Sequence, residues 1–178
     1  ELSLNIYPGE IFGLLGPNGA GKTTTISMIC GLFAPSSGEI FIENHNVQNE
    51  FESVKRLIGV VPQDLALFDT LSARENLRFF GEMYGIPAAE LNEKIDHWLH
   101  HFGLDTQLSK HIKYFSGGMK RRINLIAALL HDPRILILDE PTVGVDVQSR
   151  HVILKFLKEL NQQGVTILYT SHLLEEAQ

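Results

Sequence analysis

Eight consecutive residues constrain this chain more than any others: Gly16-Pro17-Asn18-Gly19-Ala20-Gly21-Lys22-Thr23. Four residues separate Gly16 from Gly21, and a lysine and a hydroxyl residue follow at once. The stretch lies between an apolar run over residues 10–15, which reads as a strand, and a helical pattern over about residues 22–32. Glycines at the tightest points let successive backbone N–H groups converge on one centre, as wrapping a triphosphate requires. The helix that follows adds the positive end of its dipole. Lys22 supplies a cation for the outer phosphates, and the Thr23 hydroxyl can ligate Mg²⁺. Strand and helix alternating along the chain from this loop onward mean an open parallel sheet.

The remaining pattern agrees. A turn over residues 35–38 precedes a short strand at 39–43, and residues 58–61 form an apolar strand closed by Pro62. From there to Phe115 no strand pattern occurs. Ser72-Ala73-Arg74-Glu75 is a capping box that opens a helix ending near Gly85, and a second helix runs over about 88–102. This stretch reads as a helical lobe inserted into the α/β core. Ser116 caps a further helix with Met119, Ile123, Ile126, Ala127 and Leu130 on one face. Residues 135–138 are apolar without alternation, the pattern of a parallel strand buried on both faces. Ile153, Phe156, Leu157 and Leu160 mark another helix, residues 165–170 the last strand, and a helix is expected to start at His172.

Composition narrows the classes. With 178 residues, 44% hydrophobic and 20% charged, the chain has room for a packed domain, so disorder is excluded. A net charge of −6 argues against a protein that coats nucleic acid. The single cysteine, Cys30, excludes an internal disulfide framework and fits a reducing compartment. The longest apolar runs, such as residues 125–130, are far too short to cross a bilayer. Residues 1–6 lack a leader pattern and alternate polar with apolar, which reads as a half-buried strand entered part-way and suggests a piece of a longer chain.

Two further groups carry chemistry. Asp139 and Glu140 follow the buried strand at its C-terminal end, where open sheets place their ligands. Adjacent residues point differently there, so Asp139 can hold Mg²⁺ through water while Glu140 polarises an attacking water. Ser116-Gly117-Gly118-Met119 offers a hydroxyl and two bare amides at a second helix start, with Lys110, Lys113, Lys120, Arg121 and Arg122 nearby. It reads either as an ordinary cap with a solvated basic face or as a second anion site serving another subunit's nucleotide. His97, His100 and His101 have helical spacing that imitates a metal site, but a solvated helix face accounts for them. Cys30 reads as buried and structural.

In these motifs the chain resembles the ATP-binding-cassette (ABC) ATPase domain over nearly its whole length. Gly16 to Thr24, including Thr23 and Thr24, resembles its Walker A loop; residues 135–140 resemble its Walker B strand. Ser116-Gly117-Gly118-Met119-Lys120 resembles the signature motif, Gln63 in Val60-Val61-Pro62-Gln63 the Q-loop glutamine, Gly144-Val145-Asp146 the D-loop, and His172 in Thr170-Ser171-His172 the switch histidine. The resemblance implies a P-loop NTPase fold with a mainly parallel sheet core, a small N-terminal antiparallel β portion and an inserted helical subdomain. It divides the chain into a nucleotide-binding core, residues 1–65 and 116–178, and a helical subdomain, residues 66–115, that extends into the signature helix.

The same resemblance implies an ATPase that hydrolyses ATP to ADP and phosphate, with ATP and Mg²⁺ as its ligands. Gly16 to Thr24 and Ser116 to Gly118 would contact nucleotide. Thr23, Gln63 and Asp139 would hold the metal, and Glu140, His172 and Gln63 would take part in catalysis. It implies a head-to-tail dimer in which one chain's signature helix covers the other's Walker A loop. It also implies a membrane permease, separate or fused, and a cytoplasmic location at the inner face of the membrane. The adenine-stacking aromatic of the family would lie before Glu1. Phe115, Met119-Lys120 and Gly144-Val145 depart from the commonest motif residues and match the drug- and polysaccharide-export branch. A soluble ABC protein acting on ribosomes or nucleic acid is the alternative, which the acidic balance disfavours. A phosphate-loop switch or kinase would leave the Ser116 motif and His172 unexplained.

Overall fold

The structure, a computed structural model, describes residues 2–107 and 109–172. In chain order its elements are β1 (Ile11–Leu15), α1 (Lys22–Ile29), β2 (Phe41–Ile42), β3 (His45–Asn46), α2 (Phe51–Leu57) and β4 (Ile58–Val61). Then follow α3 (Ala73–Met83), α4 (Ala88–His101), short 3₁₀ turns at Asp105–Gln107 and Ile112–Tyr114, α5 (Gly117–Leu129), β5 (Ile135–Leu138), α6 (Val147–Gln162) and β6 (Thr166–Ser171). The helix expected beyond His172 lies outside the described residues. No helix among the described residues is long and apolar enough to cross a membrane.

The described chain forms two compact units. The first holds residues 2–63, 133–141 and 157–172. Its four-stranded sheet runs β1-β6-β5-β4, every pair parallel. Non-sequential neighbours are what parallel strands require, since each connection must cross over through a helix. On one side lies a core of Ile26 and Cys30 from α1, Ile42, Val47, Val54 from α2, Ile58, Ile137 and Leu168. Burial there pushes the Cys30 thiol up to about 12, with the Asp139 charge adding to the effect, so the cysteine is inert packing.

The antiparallel portion is the β2–β3 hairpin, with Phe41 opposite Asn46. Residues 2–6, by contrast, form no strand. Their alternation is strand-like, but no ladder partner pairs with them among the described residues, and the chain instead closes a turn with Glu10 N–H donating to the Tyr7 carbonyl at 3.1 Å. Helix α2 has no counterpart in the sequence periodicity, because its seven residues bury Val54 alone.

The second unit holds residues 64–107, 109–132 and 142–156. It contains α5 and the first ten residues of α6 as well as α3 and α4. The capping box on α3 is complete: Glu75 N–H donates to Ser72 Oγ at 3.3 Å, and Ser72 N–H donates to Glu75 Oε2 at 2.7 Å. Ser72 Oγ also donates to Glu75 Oε2 at 2.6 Å, and this bond first, then the one from the Ser72 amide, holds the Glu75 carboxyl below its usual value. Helices α3 and α4 meet closely, and a Cβ at Gly81 would lie 2.8 Å from Leu91 Cδ2. Phe156 packs against Trp98 of α4 and against Phe102 just beyond that helix, with ring centroids at 5.6 and 4.4 Å. Helix α5 is buried from Ile123 to Leu129, more than the single apolar face read from its sequence. His97, His100 and His101 are exposed, His100 faces Asp105 at 3.4 Å, and no metal-binding group of His, Cys, Asp or Glu occurs among the described residues.

Candidate functional site

The parallel register aligns the C-terminal ends of the strands. Leu15 lies opposite Ser171, Leu138 opposite Tyr169, and Val61 opposite Leu138. One sheet edge therefore carries the Gly16–Thr24 loop after β1, Gln63 shortly after β4, Asp139 and Glu140 after β5, and His172 after β6. This is the edge at which open α/β sheets bind ligands.

The loop is built as its glycines demand. Gly19 and Gly21 sit at φ 82° and 91°, where a side chain is strained, although open space surrounds both. Gly16 N–H donates to the Ser171 carbonyl at 3.3 Å, and Ala20 N–H to the Pro17 carbonyl at 3.2 Å. Gly21 at the start of α1 offers no side-chain cap, so no side chain at that position competes for the first-turn amides. Thr23 and Thr24 are exposed, with Pro17, Asn18, Gly19 and Ala20 on the same loop.

Lys22 does not extend outward. Its side chain is buried, and Nζ donates to the Gly16 and Pro17 carbonyls at 2.8 and 3.2 Å. Nζ also pairs with Glu140 Oε1 at 3.4 Å, both side chains being under a tenth exposed. The other carboxylate oxygen of Glu140 lies 3.4 Å from Nδ1 of His172. Glu140 itself sits at φ 48°, an uncommon conformation for a side chain of this size, at roughly 1–3 kcal/mol of strain. Asp139 turns elsewhere: its N–H still donates to the Val61 carbonyl at 2.9 Å, and its Oδ1 accepts from Thr170 Oγ1 at 2.5 Å. Thus Lys22, Glu140 and His172 meet, Asp139 stands beside them, and Gln63 lies exposed at the β4 end. Thr170, to which the sequence reading gave no role, touches both acids. No motif spacing points to it; only the register does.

Asp139, Thr23 and Gln63 offer a carboxylate, a hydroxyl and an amide. These are oxygen donors of the kind Mg²⁺ prefers, so the residues fit the ion. A carboxylate accepts at about four lone-pair positions, so the Thr170 bond leaves Asp139 capacity for a cation.

The second unit presents Ser116 at the start of α5, its Oγ accepting from Met119 N–H at 3.3 Å, with Ser116 and Gly117 exposed. The basic residues near it are not one solvated face. Lys120 pairs with Asp69 at 2.7 Å, Arg122 donates to the Phe102 carbonyl at 2.8 Å, and Arg121 is buried. Lys110 and Lys113 stay exposed. Gly118 is required by close approach: a Cβ there would lie 2.6 Å from Ser149 Cβ. Asp146 accepts from Ser149 N–H at 2.9 Å at the start of α6, a bond that, with the Ser149 hydroxyl, holds its carboxyl below the usual range.

The profile of the ABC transporter family matches residues 1–143, four-fifths of the chain. This chain belongs to the ABC transporter family. It is 51% identical over 177 residues to the linearmycin resistance ATP-binding protein LnrL of Bacillus subtilis, covering 99% of this chain and 57% of that protein. It is 43% identical over 178 residues to the Nod factor export ATP-binding protein I of Cupriavidus metallidurans, covering 100% of this chain and 59% of that one. The chain thus spans somewhat over half the length of these curated relatives. Among solved structures, a dimeric ATP-binding cassette in a post-hydrolysis state, bound to ADP and Pi, superposes with a TM-score of 0.87 at 29% identity, covering 98% of this chain and 79% of that one. CbiO1 of Clostridium perfringens, part of an ABC transporter complex, gives 0.85 at 32% identity, covering 96% and 70%. The ABC ATPase fold, with a mainly parallel sheet, a small antiparallel sheet and a helical subdomain, is therefore the fold of this chain.

Proposed function

We propose that this chain is the ATP-binding and ATP-hydrolysing part of an ABC exporter. The observation that carries the reading is Glu140 at the end of β5, set between Lys22 Nζ and His172 Nδ1 at 3.4 Å each. The Gly16–Thr24 amides and Lys22 would bind the phosphates of ATP, while Ser116, Gly117 and Gly118 of a second copy cover the same nucleotide in a head-to-tail dimer. Thr23, Asp139 and Gln63 would hold Mg²⁺, which when bound supplies positive charge against the phosphate oxygens. Glu140 accepts the proton of the attacking water as its oxygen bonds to the γ-phosphorus and ADP departs. His172 holds the second oxygen of Glu140 and orients it.

Export, as opposed to uptake, is supported by the names of the relatives, which concern linearmycin resistance and Nod factor export. In this reading the chain works in the cytoplasm at the inner face of the membrane, on a permease that is a separate or fused partner. No role with nucleic acid is assigned. The test is ATP binding by calorimetry: Lys22→Ala is expected to lose ATP affinity at least tenfold with an unchanged circular dichroism spectrum, since it removes the cation for the outer phosphates. Parental affinity in that variant would overturn the assignment.

A further inference from the structure

We propose that Thr170 is a positioning residue for both acids of this site, setting the side chain of Asp139 and the backbone of Glu140 with one hydroxyl. The inference rests on the roles given to those acids under the proposed function. Strand β6 passes Thr170 immediately after Tyr169, which lies opposite Leu138 of β5, so the hydroxyl arrives where β5 leaves the ladder. Asp139 N–H still finds a backbone carbonyl, that of Val61. Glu140 N–H finds instead the Thr170 hydroxyl oxygen, at 2.9 Å. The same hydroxyl spends its one proton on Asp139 Oδ1, at 2.5 Å. A hydroxyl has a single donor and two acceptor positions, so this pairing uses the donor for the first acid and a lone pair for the second.

The consequence is directional. With its amide held from β6, Glu140 takes φ 48° and its carboxylate reaches Lys22 and His172. With Oδ1 held, Asp139 keeps a separate heading. Thr170 is fully buried, so water cannot stand in for the hydroxyl, and its branched Cβ limits the rotamers it can adopt. Packing alone would not choose threonine here. Ile167 and Leu168 earlier in the same buried strand are apolar, and valine would fill the same volume without the hydroxyl.

The test compares Thr170→Val and Thr170→Ser with the parent in the full chain. ATP binding is measured by calorimetry in Mg²⁺ and in EDTA, and steady-state turnover over a range of ATP. Residues that orient a metal-ligating carboxylate are worth about 10–100-fold, so Thr170→Val is expected to lower kcat by that factor with KM little changed. Its affinity in EDTA should stay parental, while the gain in affinity that Mg²⁺ confers shrinks. Thr170→Ser, which keeps the hydroxyl, should restore both. Parental kcat and parental Mg²⁺ dependence in Thr170→Val overturn the proposal and leave the ATPase reading standing. A parent that neither binds nor hydrolyses ATP overturns both. If Thr170→Val does not fold, Thr170→Ser alone decides: near-parental values support the hydroxyl's role, and a tenfold loss of kcat overturns it.

Discussion

Glu140→Gln isolates one charge. The amide keeps the carboxylate's shape, and glutamine tolerates φ 48° no worse than glutamate, so backbone strain is unchanged. Two effects should appear together. Removing the base lowers turnover by about 10²–10⁴-fold, the worth of a positioned proton acceptor. Removing the charge also strips the buried Lys22 of its counter-ion in the nucleotide-free protein. Breaking one side of a buried pair costs about 3–5 kcal/mol. Here Lys22 retains the Gly16 and Pro17 carbonyls at 2.8 and 3.2 Å. The glutamine oxygen can still accept from it, so ~2 kcal/mol is expected, a fall in Tm of roughly 4–8 °C for a chain of this size. ATP returns negative charge to Lys22. Nucleotide should therefore raise the Tm of the variant more than that of the parent, and unhydrolysed ATP should hold two copies together in size-exclusion chromatography. Steady-state ATPase rates and thermal unfolding with and without ATP make the comparison. A variant that hydrolyses ATP at the parental rate, with an unshifted nucleotide-free Tm, would refute both the base and the ion-pair reasoning and turn attention to His172.

Gly118→Ala should destabilise the helical unit by about 1–3 kcal/mol, because its Cβ would lie 2.6 Å from Ser149 Cβ; adding Ser149→Gly should recover much of the loss in denaturant unfolding. Cys30, raised to about 12 by burial, should resist thiol reagents at pH 8 until the protein unfolds. The buried thiol's contribution to stability is complete below pH 9, the ordinary thiol value, and is lost as pH rises toward 12, which pH-dependent unfolding would reveal.

Much of the site could be read along the chain because its demands are local. Gly19 and Gly21 sit at positive φ, and the lysine and threonine that follow have fixed offsets from them. Ser72 with Glu75, and Ser116 before Met119, cap helices within one turn. The run of residues 135–138 announced a doubly covered strand that ends in two acids. Local pattern is silent where the decisive partner is distant. The alternation in residues 2–6 predicts a strand, but a strand also needs a neighbour to pair with. The short α2 owes its place to Val54 in the core and not to any repeat of its own.

The sequence by itself determined the loop, the buried strands, the caps and the family, since each depends on backbone preferences and on the periodicity of apolar residues. Tertiary structure alone decided the order β1-β6-β5-β4, and with it which strand ends meet. From that order come the burial of Lys22 against Glu140, the approach of His172, and the placing of the Thr170 hydroxyl between two acids far from it in sequence. The physical reason is the parallel ladder itself. Its hydrogen bonds join segments separated by whole helices, and no local pattern in either segment encodes which partner the other will be.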